Sequence, residues 1–84
     1  MKVRLFIDAD TCLDFKSRGK AFVYADKNNL KAFCILTENE KYSDLPTKTT
    51  HSVFISLYPE GDTRCIQWFE SENDALKCIG SFLN

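Results

Sequence analysis

The chain has one histidine, His51, only three glycines and two prolines, and its four cysteines include no Cys-x-x-Cys pair. Each shortage removes a chemistry. A single imidazole excludes metal ligation by paired histidines. Gly19, Gly61 and Gly80 stand too far apart to build a glycine-rich phosphate cradle. His51 has no acidic neighbour in sequence, so no nucleophile–base pair is legible. An excess of one charge is also lacking: a net charge of −1 over 84 residues gives no general pull toward nucleic acid or anionic membrane. No apolar run approaches the roughly 20 residues that span a bilayer. The amino end, Met1-Lys2-Val3-Arg4-Leu5, alternates charge and has no apolar leader core, so no secretory signal is expected. Cys12, Cys34, Cys65 and Cys78 then read as reduced, structural thiols of a cytoplasmic protein.

What is present is enough to fold. Apolar residues make up 44% of the chain and aromatic residues 13%, well above a disordered composition. The length predicts one domain, 1–84, that buries about 60–65% of the surface exposed on unfolding. A body this small has little room for a deep, enclosed active site.

The last third carries the clearest pattern. Val53, Ile55 and Leu57 alternate along one strand, and Ile66 and Trp68 along another. Pro59-Glu60-Gly61-Asp62 between them is turn chemistry. Ser71 stands as a helix cap, and Ala75, Leu76, Ile79, Phe82 and Leu83 follow at helical spacing. Upstream, Val3, Leu5 and Ile7 alternate as a strand over Lys2 to Asp8. The polar stretch from Ala9 to Gly19 reads as a long hairpin connection, and Lys20 to Ala25 as a second strand.

Residues 26–37 fit either a helix capped near Asp26 or a strand from Leu30 to Leu36. Internal comparison favours the helix, because Phe22–Phe33 aligns with Trp68–Ile79, aromatic on aromatic and Leu-Lys on Leu-Lys. The expected fold is therefore α+β: a tandem ββα-ββα chain with half-repeats at about 1–37 and 50–84, joined by a polar linker, 38–49. Its four-stranded, mainly antiparallel sheet carries both helices on one face.

Strand parity then leaves one sheet face bare, with Phe6, Phe54, Tyr58 and Phe69 on it and Arg4 and Gln67 beside them. An exposed aromatic patch marks a contact surface. The leading functional reading is a non-catalytic protein-binding module, an inhibitor or regulator of a larger partner, with a second copy of the chain as another candidate occupant. No cofactor and no membrane is implied.

Two other readings remain. Arg18-Gly19-Lys20-Ala21-Phe22-Val23-Tyr24-Ala25 resembles the RNP1 strand of RNA-recognition motifs, and Leu5-Phe6-Ile7 faintly resembles RNP2. That resemblance implies strands whose aromatics stack on bases. Lys20 and Ala25 occupy positions where the pattern has aromatics, and too few residues separate the two strands for the intervening elements of that fold. Single-stranded nucleic acid, bound by the same aromatics with Lys16, Arg18 and Lys20, thus ranks below a protein partner. The third reading is a divalent-metal site on Asp8, Asp10 and Asp14. Their spacing begins like a calcium loop, but Leu13 stands where glycine is needed and Gly19 where the bidentate glutamate belongs.

Overall fold

The computed structural model describes residues 2–38, 49–57 and 63–83. Seven elements follow one another: β1 (Lys2–Asp8), β2 (Thr11–Phe15), α1 (Arg18–Lys27), β3 (Ala32–Glu38), β4 (His51–Leu57), β5 (Thr63–Phe69) and α2 (Glu72–Leu83). The strands form one five-stranded sheet in the order β2-β1-β3-β4-β5, antiparallel at every pairing. The α+β class and the antiparallel sheet agree with expectation. The four-strand count and the tandem ββα plan do not.

Three elements account for the difference. Thr11–Phe15 is a strand where a loop was expected. It pairs back onto β1 through the short Ala9-Asp10 turn, with a register irregularity between Phe6 and Asp8. Lys20–Ala25, expected as a strand, lies inside α1. Its Ala21–Ala25 run has no polar break and satisfies a period of two and a helical period equally. Helical spacing wins because it sets Ala21 and Ala25 on one face, where both are buried. Residues 32–37, assigned to a helix by the internal comparison, belong to the central strand β3. Phe33, Cys34, Ile35, Leu36 and Thr37 are all buried, as befits a strand covered on both faces. The aligned segments therefore have different structures, since Trp68 and Phe69 end a strand whereas Phe22 sits in a helix.

The helix ends explain the change of direction between α1 and β3. Ser17 caps α1, its Oγ accepting from the Lys20 amide at 3.2 Å. At the other end Asn29 adopts a left-handed conformation, φ 53°. Its amide donates to the Asp26 carbonyl at 3.2 Å, and the Leu30 amide donates to the Ala25 carbonyl at 3.0 Å. This pair of bonds is a Schellman closure, and Leu30 packs into the same apolar cluster as Ala25. The expected Ser71 cap is present on α2, where Ser71 Oγ accepts from the Asp74 amide at 3.2 Å.

The two helices pack on opposite faces of the sheet. On one, Val3, Leu5, Phe33 and Ile35 meet Ala21 and Ala25 of α1, with Phe15, Phe22, Tyr24, Leu30 and Phe54 around them. On the other, Phe6, Cys34, Leu36, Val53 and Ile55 meet Ala75 and Ile79 of α2, with Phe69, Leu76, Cys78 and Leu83 around them. A five-stranded sheet with a helix on each side divides its apolar residues between two cores. Each fully buried large side chain contributes about 1.5–3 kcal/mol, so neither core alone supplies the stability. Among the described residues no helix is long and apolar enough to cross a membrane.

Candidate functional site

Helix α1 spans ten residues and lies against β1, β2 and β3. Helix α2 lies against β1, β3, β4 and β5 on the opposite side. The α1 side of β5 is therefore beyond the reach of either helix.

Register decides which side chains stand there. Leu57 pairs with Thr63, so five residues, 58–62, connect β4 to β5. An odd number pairs odd positions with odd: Val53 faces Gln67, and His51 faces Phe69. Ile66 thus sits beside Phe54, and Trp68 beside Ser52, on the face opposite Val53 and Ile55. The parity expected from sequence had set Ile66 and Trp68 in the core with Val53 and Ile55. Instead both are 44% exposed, among the few large apolar side chains left open to solvent in the described residues.

The end of β5 is tied down. The Thr50 amide donates to the Phe69 carbonyl at 2.9 Å, and Thr50 Oγ1 donates to the Glu70 carbonyl at 3.1 Å. Thr50 Oγ1 also lies 2.7 Å from His51 Nδ1. A hydroxyl has one proton to give, and the carbonyl takes it, so Nδ1 carries a hydrogen and donates to Thr50. His51 is buried and serves this clamp.

The residues expected to form one aromatic face are distributed over both. Phe6 is buried beneath α2, and Phe69 packs on the same side. Phe54 lies on the α1 side, its ring edge-on to Phe22 with centroids 4.8 Å apart. Arg4 lies on the α2 side, where its Nη2 donates to Glu72 Oε1 at the first turn of α2. That hydrogen bond, and then the charge of Arg4, hold the Glu72 carboxyl below its ordinary range. Gln67 is exposed on the α2 side and accepts from Cys78 Sγ at 3.7 Å. Tyr58 falls outside the described residues, as does the Pro59–Asp62 turn. The bare aromatic face is replaced by a smaller surface, Ile66 and Trp68 on β5. Part of its sequence signal was present, since two large apolar residues alternate in one strand.

The basic residues gather at the start of α1. Lys16 precedes the Ser17 cap, Arg18 is the first helical residue and Lys20 is the residue whose amide is capped. Because this segment is helical, it offers no RNP1-like strand. Asp8 and Asp10 lie at the β1–β2 turn, and Asp14 lies on β2 opposite Arg4. Asp8 Oδ1 accepts from the Asp10 amide at 2.8 Å. That bond, with a further one from the Thr11 side chain, lowers the Asp8 pKa. Among the described residues no three His, Cys, Asp or Glu side chains come together as a metal site.

No protein-family model matches the chain, and comparisons with curated proteins and with solved structures found no match.

Proposed function

We propose that this chain is a small, non-catalytic protein-interaction module that binds an extended protein segment along β5. One observation carries the reading. Ile66 and Trp68, both half-open to solvent, stand side by side on a strand that has a strand neighbour on one edge only among the described residues. An edge strand offers a row of backbone donors and acceptors, and alternating apolar side chains add selectivity to whatever pairs with it. Tryptophan contributes a large apolar area at low entropic cost, which favours it as an anchor. Both helices are occupied by the protein's own cores, so binding in this way requires no rearrangement. The module acts by occupying a partner, in the manner of a regulator.

A photoreactive residue at position 68 tests this in the full chain, with position 23 as the control. Val23 is 65% exposed on α1, more open than Trp68, so a lack of labelling there is not for want of access. The expected outcome is a covalent protein adduct at 68 that disappears with Ile66→Lys and has no counterpart at 23. Equal labelling at both positions, or none at 68, rejects β5 as the contact edge.

A further inference from the structure

Charge is divided between the two layers. Residues 16–31, which hold α1 and its flanks, carry five of the chain's 11 basic residues and one of its 12 acidic residues. The opposite layer is acidic. Glu72 and Asp74 lie in the first turn of α2, and Asp14 and Glu38 stand on its side of β2 and β3. The net charge of −1 is thus a balance of two opposed patches and conceals a local field. Lys16, Lys20, Lys27 and Lys31 are exposed and Arg18 is half-buried. Among the described residues none of these five cations has an ion-pair partner.

The cations are placed at a cost to the fold. Arg18 and Lys20 stand at the positive end of the helix dipole. Gly19, between them, weakens a helix, and packing does not require it: a Cβ there would meet only Ser17 Oγ, at 3.8 Å. Residues that break local rules without a structural gain mark a functional surface. Lys20, Val23 and Lys27 follow one another at i, i+3 and i+7, a single outward stripe, with Val23 65% exposed at its middle. The two lysines are about 10 Å apart along the helix axis, with Lys16 and Lys31 beyond either end.

We infer that α1 docks across the major groove of a DNA duplex, with its two groups of cations on the phosphates of the two strands. The reading goes beyond the β5 contact and does not depend on it. The B-form major groove is about 12 Å wide and admits a helix, whereas that of an RNA duplex is too narrow for side chains to enter. Stacking on unpaired bases is not on offer, because the rings of Phe22 and Tyr24 are taken up by Phe54 and Phe15. Val23, at the centre of the stripe, has no polar group with which to read a base edge. Binding therefore follows phosphate and not sequence. The acidic α2 layer repels the same polyanion and faces away from it, which fixes the orientation.

Fluorescence anisotropy of a labelled random-sequence DNA duplex titrated with the full chain tests the inference. Contact with three to five phosphates predicts a binding constant that falls by about 40- to 500-fold between about 50 and 200 mM salt. Lys20→Glu weakens binding roughly ten-fold or more and lowers the salt slope by about one. That substitution does not weaken the helix, so the loss is not one of folding. Lys27→Glu acts in the same way. Lys77→Glu makes an equal change of net charge on the exposed side of α2 and leaves binding within about two-fold. No binding at low salt, or binding indifferent to salt, overturns the inference. Equal weakening by Lys77→Glu and Lys20→Glu means that total charge alone acts, and overturns α1 as the surface. An RNA duplex bound as tightly as DNA overturns the groove. Displacement of the duplex by poly-glutamate of equal charge overturns DNA as the occupant in favour of an acidic protein.

Discussion

Phe22 and Phe54, 32 positions apart in the chain, meet edge-on with ring centroids 4.8 Å apart. The contact joins α1 to β4, a strand that lies beyond the main contacts of that helix. Both rings are half-buried. Phe54→Ala is therefore expected to lower stability by about 2–3 kcal/mol, less than the 3–5 typical of fully buried phenylalanine. A double-mutant cycle with Phe22→Ala, read by urea unfolding, should give a coupling of about 0.5–1.5 kcal/mol. Coupling near zero would mean that the two rings do not hold the helix to the strand.

The first turn of α1 has no acidic residue and instead carries Arg18 and Lys20, the wrong sign for a helix amino terminus. Lys20→Glu would complete a capping box with Ser17 and is expected to stabilise the fold by about 0.5–1 kcal/mol. At the other end, Asn29→Val forces a branched side chain into the left-handed region and should cost about 1–2 kcal/mol, whereas Asn29→Gly should be neutral or stabilising. Thermal melts of the three variants suffice. A loss of stability in Lys20→Glu would count against the observed helix start.

Central strand β3 predicts an unusual pair of sensitivities. Ile35 packs toward α1 and Leu36 toward α2, although they are neighbours in sequence. Ile35→Ala and Leu36→Ala should each cost about 2–5 kcal/mol. Val23→Ala, on the solvent side of α1, should change stability by less than about 0.5 kcal/mol. If only one of the adjacent pair proved costly, the strand would be covered on one side.

The Arg4–Glu72 contact gives stability an acid limb. The Glu72 carboxyl has an ordinary value of 4.5 and is held below it in the folded chain. A lowered carboxyl pKa contributes stability above the unfolded value, and that contribution is lost as pH falls through the folded value. Asp8, with an ordinary value of 3.8, is lowered in the same direction. Wild type should therefore lose stability more steeply below pH 4.5 than Glu72→Gln, and Asp8→Asn should flatten the curve at still lower pH. Urea midpoints measured at stepped pH report both slopes. Identical acid limbs in wild type and Glu72→Gln would show that the ion pair contributes nothing.

The legible parts of the sequence were those with one clear period. Strands β1, β4 and β5 alternate, and α2 has a capped start and apolar residues at helical spacing. The rest failed for identifiable reasons. Phe22 to Ala25 offers apolar residues at every position, so periodicity could not separate strand from helix, and the decisive Asn28-Asn29 closure was read as the start of a helix. Ala32 to Leu36 is an uninterrupted apolar run, which marks a strand buried on two sides more than it marks a helix. Thr11 to Phe15 is short, and its two carboxylate neighbours, Asp10 and Asp14, gave it the appearance of a loop. The candidate surface moved for a different reason. The alternation of Ile66 and Trp68 was correct, but the face they occupy depends on whether the preceding loop has an odd or even length, and that parity is invisible to local pattern.

The division of the core between two faces has a consequence during synthesis. The first 38 residues contain everything the α1 side needs except Phe54, so that layer can assemble while the rest is still being translated. Phe6, Cys34 and Leu36 then point outward from its other side with nothing to meet them until Ala75 and Ile79 emerge. The nascent chain therefore carries an uncovered apolar flank until α2 is made, and a chain truncated before Glu72 is expected to aggregate.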